Sequence, residues 1–183
     1  MSEKFEKTVC FHCASALCGL KSSNLVNLSY HTFPSLKEDL ETLNRLFSPK
    51  INFTVLKSTE TAILVLVWKK EALRKALFCE ANYQYLLKHG YSKTKDIYLY
   101  IELLKEKLNN NATFPHEIGV FLGYDLDDVI EFEKGNKYSI FTGYWKVYSN
   151  LDTKLQTFAK FTKCRNTFIS LLDKGYSLEL LLK

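Results

Sequence analysis

From Thr61 to Trp68 the chain is apolar and rich in strand-forming residues, with no polar position after Thr61. A half-buried strand alternates apolar with polar residues. A run without alternation belongs to a strand covered on both faces, which must lie inside a sheet. Ala62 to Trp68 is also the longest apolar run, and its seven residues fall far short of the roughly 20 that a membrane-spanning helix needs. The fold must therefore supply two apolar layers, one for each face of this strand.

The neighbouring sequence offers elements to build those layers. Residues 3–18 have helical periodicity. Asn24 to Tyr30 and Ile51 to Leu56 alternate as strands. Ser35, with Glu38 three residues on, reads as a capping box that opens a helix with Leu36, Leu40, Leu43 and Phe47 on one face. Ser48-Pro49 ends it. Lys69 to His89 reads as one helix stopped by Gly90, and Ile97 to Leu108 as another, with a turn at Asn109-Asn110-Asn111. Pro115 to Leu122 and Leu126 to Lys134 read as two short helices separated by Gly123. Tyr138 to Tyr148 is strand-prone, and Leu155, Phe158, Phe161, Phe168 and Leu172 mark the face of a long last helix. Only 7 glycines and 3 prolines interrupt 183 residues, so connections should be short. These elements predict an α/β fold in one domain, residues 1–183, with one central mixed sheet of about four strands covered by helices.

Charge and cysteine content narrow the partners. The net charge of +5 averages a segregated pattern: residues 115–135 hold six acids and one base, and residues 137–174 hold seven bases and two acids. No run of five like charges exists to grip a polyanion, which speaks against nucleic acid. Near the N-terminus, Val9 to Leu20 follows Lys4 and Lys7 as a secretory signal would. Glu3, Glu6 and His12 favour an amphipathic helix instead, and the expectation is a cytoplasmic protein that does not engage a membrane. The five cysteines, 10, 13, 18, 79 and 164, are then expected as reduced thiols.

Three segments concentrate the groups that do chemistry. The first is His12-Cys13-Ala14, followed by Gly19 and Lys21, with Cys10, Cys13 and Cys18 in a C-x2-C-x4-C spacing. A histidine beside a thiol can activate a nucleophile, and C-x2-C can hold a metal or exchange thiols. Buried core cysteines explain the same residues. Lys21 serves either the helix dipole or an anion in a pocket. The second is Phe114 to Tyr124, where His116-Glu117 precedes a helix bearing Gly119, then Asp127, Asp128 and Val129. Its helix, turn, helix outline matches a DNA reader. Asp127, Asp128, Glu131 and Glu133 on the would-be reading helix would repel phosphate. The third is Gly143-Tyr144-Trp145-Lys146-Val147-Tyr148, an aromatic and cationic stretch suited to a planar or anionic ligand, or to an inward Trp with an outward Lys. No P-loop, Rossmann glycine motif, HExxH or GxSxG is present, and no metal or cofactor is assigned.

In order and spacing, HCASALCGLKSS (12–23), FPHEIGVFLGYDLDDV (114–129) and GYWKVY (143–148) resemble the bacterial domain-of-unknown-function family 3793. The resemblance spans nearly the whole chain. Ser15, Ser22, Asp125 and Cys18 depart from its pattern, and Ile140 and Phe141 stand where members carry cysteines. It implies no activity, but it singles out His12, Cys13, Lys21, His116, Glu117, Tyr124, Trp145 and Lys146 for attention.

The resulting expectation is a cleft formed by the three segments that binds a small anionic ligand. Lys21, Tyr124, Trp145 and Lys146 would bind it. Were there a reaction, His12, Cys13, His116 and Glu117 would be its catalytic groups. Two other readings stand beside this one. One is redox or metal handling, of iron or haem, through Cys10, Cys13 and His12. The other is a protein-interaction module that docks through the acidic helix 125–133.

Overall fold

The computed structural model describes residues 1–110 and 113–182. Helix α1 (Glu3–Leu17) leads into strand β1 (Ser23–Ser29), and α2 (Leu36–Phe47) into β2 (Asn52–Ser58) and β3 (Ala62–Trp68). β3 is the middle strand of a three-stranded antiparallel sheet in the order β1-β3-β2. The doubly apolar run does occupy the sheet interior. Its odd positions, Ile63, Val65 and Val67, enter one core with α1, α2 and the last helix. Its even positions, Leu66 and Trp68, enter a second core on the opposite face.

On β2 the register shifts between Val55 and Lys57. Phe53 and Val55 face the first core and Leu56 the second, as alternation requires. Beyond the bulge Lys57 pairs with Leu64, whose side chain packs against the second core.

The second core is closed by α3 (Lys70–Phe78), α4 (Glu80–Lys88), α5 (Ile97–Asn110), α6 (Ile118–Phe121) and α7 (Leu126–Glu133). The expected single helix over 69–89 is divided at Cys79, whose backbone is extended. Leu73, Leu77, Tyr85 and Leu86 all reach this core, and the bend allows both stretches to do so. The Asn82 amide donates to the Ala76 carbonyl at 2.7 Å, satisfying an acceptor left free by the break. Ser35 does stand at the start of α2, but with φ −91° and ψ 22° its side chain makes no capping bond. The expected asparagine turn is different too. Asn109 and Asn110 finish α5, with Asn109 donating to the Leu56 and Lys105 carbonyls, and Asn111 lies outside the described residues.

The strand-prone segment 138–148 forms its own hairpin, β4 (Phe141–Thr142) with β5 (Lys146–Val147), and does not join the main sheet. It rests on α8 (Leu151–Asp173), with Val147, Phe158 and Phe161 buried between them. Gly143 permits this seating, because a Cβ there would stand 2.5 Å from the Phe158 ring. Helix α8 also packs along α1, and α9 (Leu178–Leu182) returns to the first core. The protein is thus a mixed helix and strand fold, and no helix among the described residues is long and apolar enough to cross a membrane.

Candidate functional site

The first and second segments meet at the carbonyl of Phe121. Ser22 Oγ and Ser23 Oγ both donate to it, at 2.8 and 2.7 Å, and so satisfy an acceptor at the end of α6. Gly123 makes the approach possible. Its φ of +68° is unfavourable for other residues, and a Cβ would come within 2.6 Å of Ser22 Oγ.

The second and third segments meet at Asp128, which is 2% exposed. Its Oδ2 accepts from the Trp145 indole at 2.8 Å, and its Oδ1 from the Tyr148 amide at 2.8 Å. Lys154, at the start of α8, adds its ammonium 3.5 Å from Asp128, 3.0 Å from Asp125 and 3.2 Å from the Ser149 carbonyl. Held in this way, the Trp145 ring stacks on Tyr124 with centroids 4.7 Å apart and meets Phe158 edge-on. The Tyr124 ring in turn carries the Lys21 ammonium 4.8 Å from its centroid. The three segments thus form one assembly.

Between α6, α7 and the hairpin this assembly leaves a cavity of about 320 Å³, within the range of small-ligand sites. Most of its wall is apolar, from Ile118, Leu122, Val129, Phe132 and Trp145. Gly119 belongs to the wall, and a Cβ there would lie 2.7 Å from Val129 and 3.3 Å from the Tyr124 ring. The polar lining separates into two kinds. Asp128 is fully engaged, as is the Tyr144 hydroxyl, which meets Thr162 at 3.1 Å. The side chains of His116, Tyr124 and Lys146 have ring contacts but no hydrogen bond or ion pair among the described residues, and His116 and Lys146 are exposed. His116 meets Phe132 edge-on, and the Lys146 ammonium lies 5.4 Å from the centroid of the same ring. Burial raises the pKa of the Tyr124 hydroxyl, which keeps it a donor.

The other singled-out residues lie elsewhere. His12 is exposed on α1 against Phe11, and partial burial together with Arg165 lowers its pKa. Cys13 is fully buried in the first core, and burial pushes its thiol pKa well up, with Cys10 at about 12 for the same reason. These are thiols kept protonated by an apolar core. Among the described residues no three His, Cys, Asp or Glu side chains are grouped to hold a metal. Cys18 and Cys164 form a disulfide between the end of α1 and α8. The expectation of reduced thiols is corrected for this pair, which helix packing brings together across 146 residues of sequence. Glu117 is buried behind α6, where Lys107 stands 3.2 Å from its Oε1 in an ion pair without hydrogen-bond geometry. Lys21, 7% exposed, has no carboxylate partner among the described residues. Burial lowers its pKa to about 8, against an opposing effect of Cys13.

Two features escape sequence reading. Asp128 and Asp125 are three residues apart and so share a helix face, but nothing local shows that Asp128 is buried while Asp125 stays exposed. The other is a junction of α4 and α7. His89 Nε2 lies 2.6 Å from Glu133 Oε1, His89 Nδ1 lies 2.8 Å from the Tyr85 carbonyl, and the Tyr85 hydroxyl donates to Glu133. These residues are 44 and 48 positions apart in sequence. All the acids of this helix segment but the exposed Asp127 have a partner within the fold. Asp125 and Asp128 pair with Lys154, Glu131 with Lys134, and Glu133 with His89.

With this geometry in place, the comparisons with known proteins fit the sequence resemblance. The model of the family described as Protein of unknown function (DUF3793) matches residues 9–182, and the chain belongs to that family. No curated protein and no solved structure matches it.

Asp128→Ala should cost about 3 kcal/mol of unfolding free energy, because it strips buried Lys154 of one counter-ion and the indole of its acceptor. Asp128→Ala with Lys154→Met should cost less than Asp128→Ala alone, as measured by urea denaturation. A single variant no worse than the double would refute the buried-charge account. The His89 junction predicts a pH effect. Partial burial opposes the imidazolium, but Glu133 and the Tyr85 carbonyl outweigh it, so the His89 pKa is raised above 6.5. Its stabilisation is fully present below that value and is lost as pH rises through the folded-state pKa. The stability gap between wild type and His89→Gln should narrow as pH is raised from about 5.5 to 9.

Proposed function

We propose that this protein binds a small anionic molecule with an apolar body in the cavity between α6, α7 and the β4–β5 hairpin. The supporting observation is the mismatch within the lining. Three hydrogen-bonding side chains, His116, Tyr124 and Lys146, have no hydrogen bond or ion pair among the described residues, while the one carboxylate of the lining accepts from the indole and an amide and lies beside Lys154. A wall of this kind asks its occupant for acceptors and offers the rest of it apolar surface. In this reading Lys146 meets the anionic group and the Tyr124 hydroxyl donates to it. Phe132 and Trp145 cover the apolar body. His12 and Glu117 stay outside direct contact, and Lys21 acts from behind Tyr124.

Calorimetric titration with 2-naphthoate, against its uncharged counterpart 2-naphthalenemethanol, tests this reading. The carboxylate should bind more tightly than the alcohol. Lys146→Met and Tyr124→Phe should each weaken the carboxylate about tenfold, the scale of a hydrogen bond to a charged group. Equal binding of the two probes, or no binding of either at millimolar concentration, would reject it.

A further inference from the structure

The cavity has a direction. His116 and Lys146 are exposed and flank a single ring: His116 meets Phe132 edge-on with centroids 5.2 Å apart, and the Lys146 Nζ lies 5.4 Å from the centroid of the same ring. Phe132 is itself 43% exposed, whereas Ile118, Leu122 and Val129 are buried. The cavity thus runs from a rim of nitrogen donors to an apolar floor. A ligand that fits it enters with its apolar body first and keeps its charged end at the rim.

The donors specify that charged end. His116 precedes α6, Tyr124 follows it and Lys146 lies on β5, so three donors reach the cavity from three places in the fold. A carboxylate offers two oxygens in one plane. A phosphate monoester offers three terminal oxygens in a tetrahedral fan, with a charge of about −1.5 to −2 at neutral pH. The surrounding charges tolerate the extra negative charge. Asp125 and Asp128 share Lys154, and Glu133, which feels the charge of His116, is held by His89 and Tyr85. Neither Lys146 nor the buried Lys21 has a carboxylate partner among the described residues. Lys21 needs no access to the cavity for this, because its ammonium acts as a fixed positive charge 4.8 Å from the centroid of the Tyr124 ring.

We infer that the ligand of this cavity is a phosphate monoester of an apolar, ring-sized alcohol, its three terminal oxygens taken by the Lys146 ammonium, the Tyr124 hydroxyl and the His116 imidazole. The inference rests on the binding reading above and names its substrate class. Lys146 and Tyr124 serve any anion here. His116 serves the third oxygen and so sets phosphate apart from carboxylate.

Calorimetric titration of the full chain at about pH 7.5 with 2-naphthyl phosphate and with 2-naphthoate tests it. The phosphate should bind about tenfold more tightly or better. His116→Ala should bring the two probes within about threefold of each other by weakening the phosphate alone, and Lys146→Met should weaken both. His116 is exposed, so its truncation leaves the cores intact. Binding of 2-naphthoate with no preference for the phosphate would overturn the inference and leave the binding reading standing. A preference that survives His116→Ala would overturn it too, because the third donor would then have no part in recognition. If neither probe binds, both readings fail.

Discussion

The site depends on one buried carboxylate. The β4–β5 hairpin has only two residues in each strand and does not extend the main sheet. A ribbon that short is not stable on its own. What fixes it is Asp128 on α7, which accepts from the Trp145 side chain and the Tyr148 backbone and shares Lys154 with Asp125. Removing a charge pair of this kind from water costs several kcal/mol, and only good geometry repays it. Three acceptor contacts on one carboxylate provide that geometry. The Trp145 ring is thereby presented to Tyr124, and the cavity acquires its far wall.

The same carboxylate sets the electrostatics of the cavity. An unpaired aspartate there would repel an anion more strongly than Asp128, whose oxygens are taken up by the Trp145 indole and the Tyr148 amide and which shares the Lys154 ammonium with Asp125. The groups left over are a lysine, a histidine and a tyrosine hydroxyl. The long acidic stretch, which in sequence suggests either repulsion of phosphate or docking on a basic partner, is largely spent on contacts within the fold.

What sequence reasoning reached and missed follows from the range of the interactions. The run Ala62–Trp68 placed the central strand and demanded two cores, because burial on both faces is a local pattern. The three segments were visible because each concentrates unusual residues within a few positions, and the structure joins them through Phe121, Asp128 and Tyr124. The partition inside each segment was not visible. His116, Tyr124, Trp145 and Lys146 line the cavity, whereas His12 faces Arg165 and Glu117 faces Lys107. Those outcomes depend on helix rotation and on partners many residues away. The Cys18–Cys164 disulfide and the His89–Glu133 contact share that long-range character. The hairpin looked like a fourth sheet strand because β-propensity does not say which strand will be the neighbour.

The central claim is that the cavity beside Asp128 is where this protein meets its ligand. The most direct measurement is a two-dimensional NMR titration with 2-naphthoate, following backbone amides and the two tryptophan indoles. The account predicts saturable shifts confined to residues 114–132 and 143–148, with the Trp145 indole moving and the Trp68 indole still. Shifts that avoid those segments, or that cluster on α8 or β2, would contradict it.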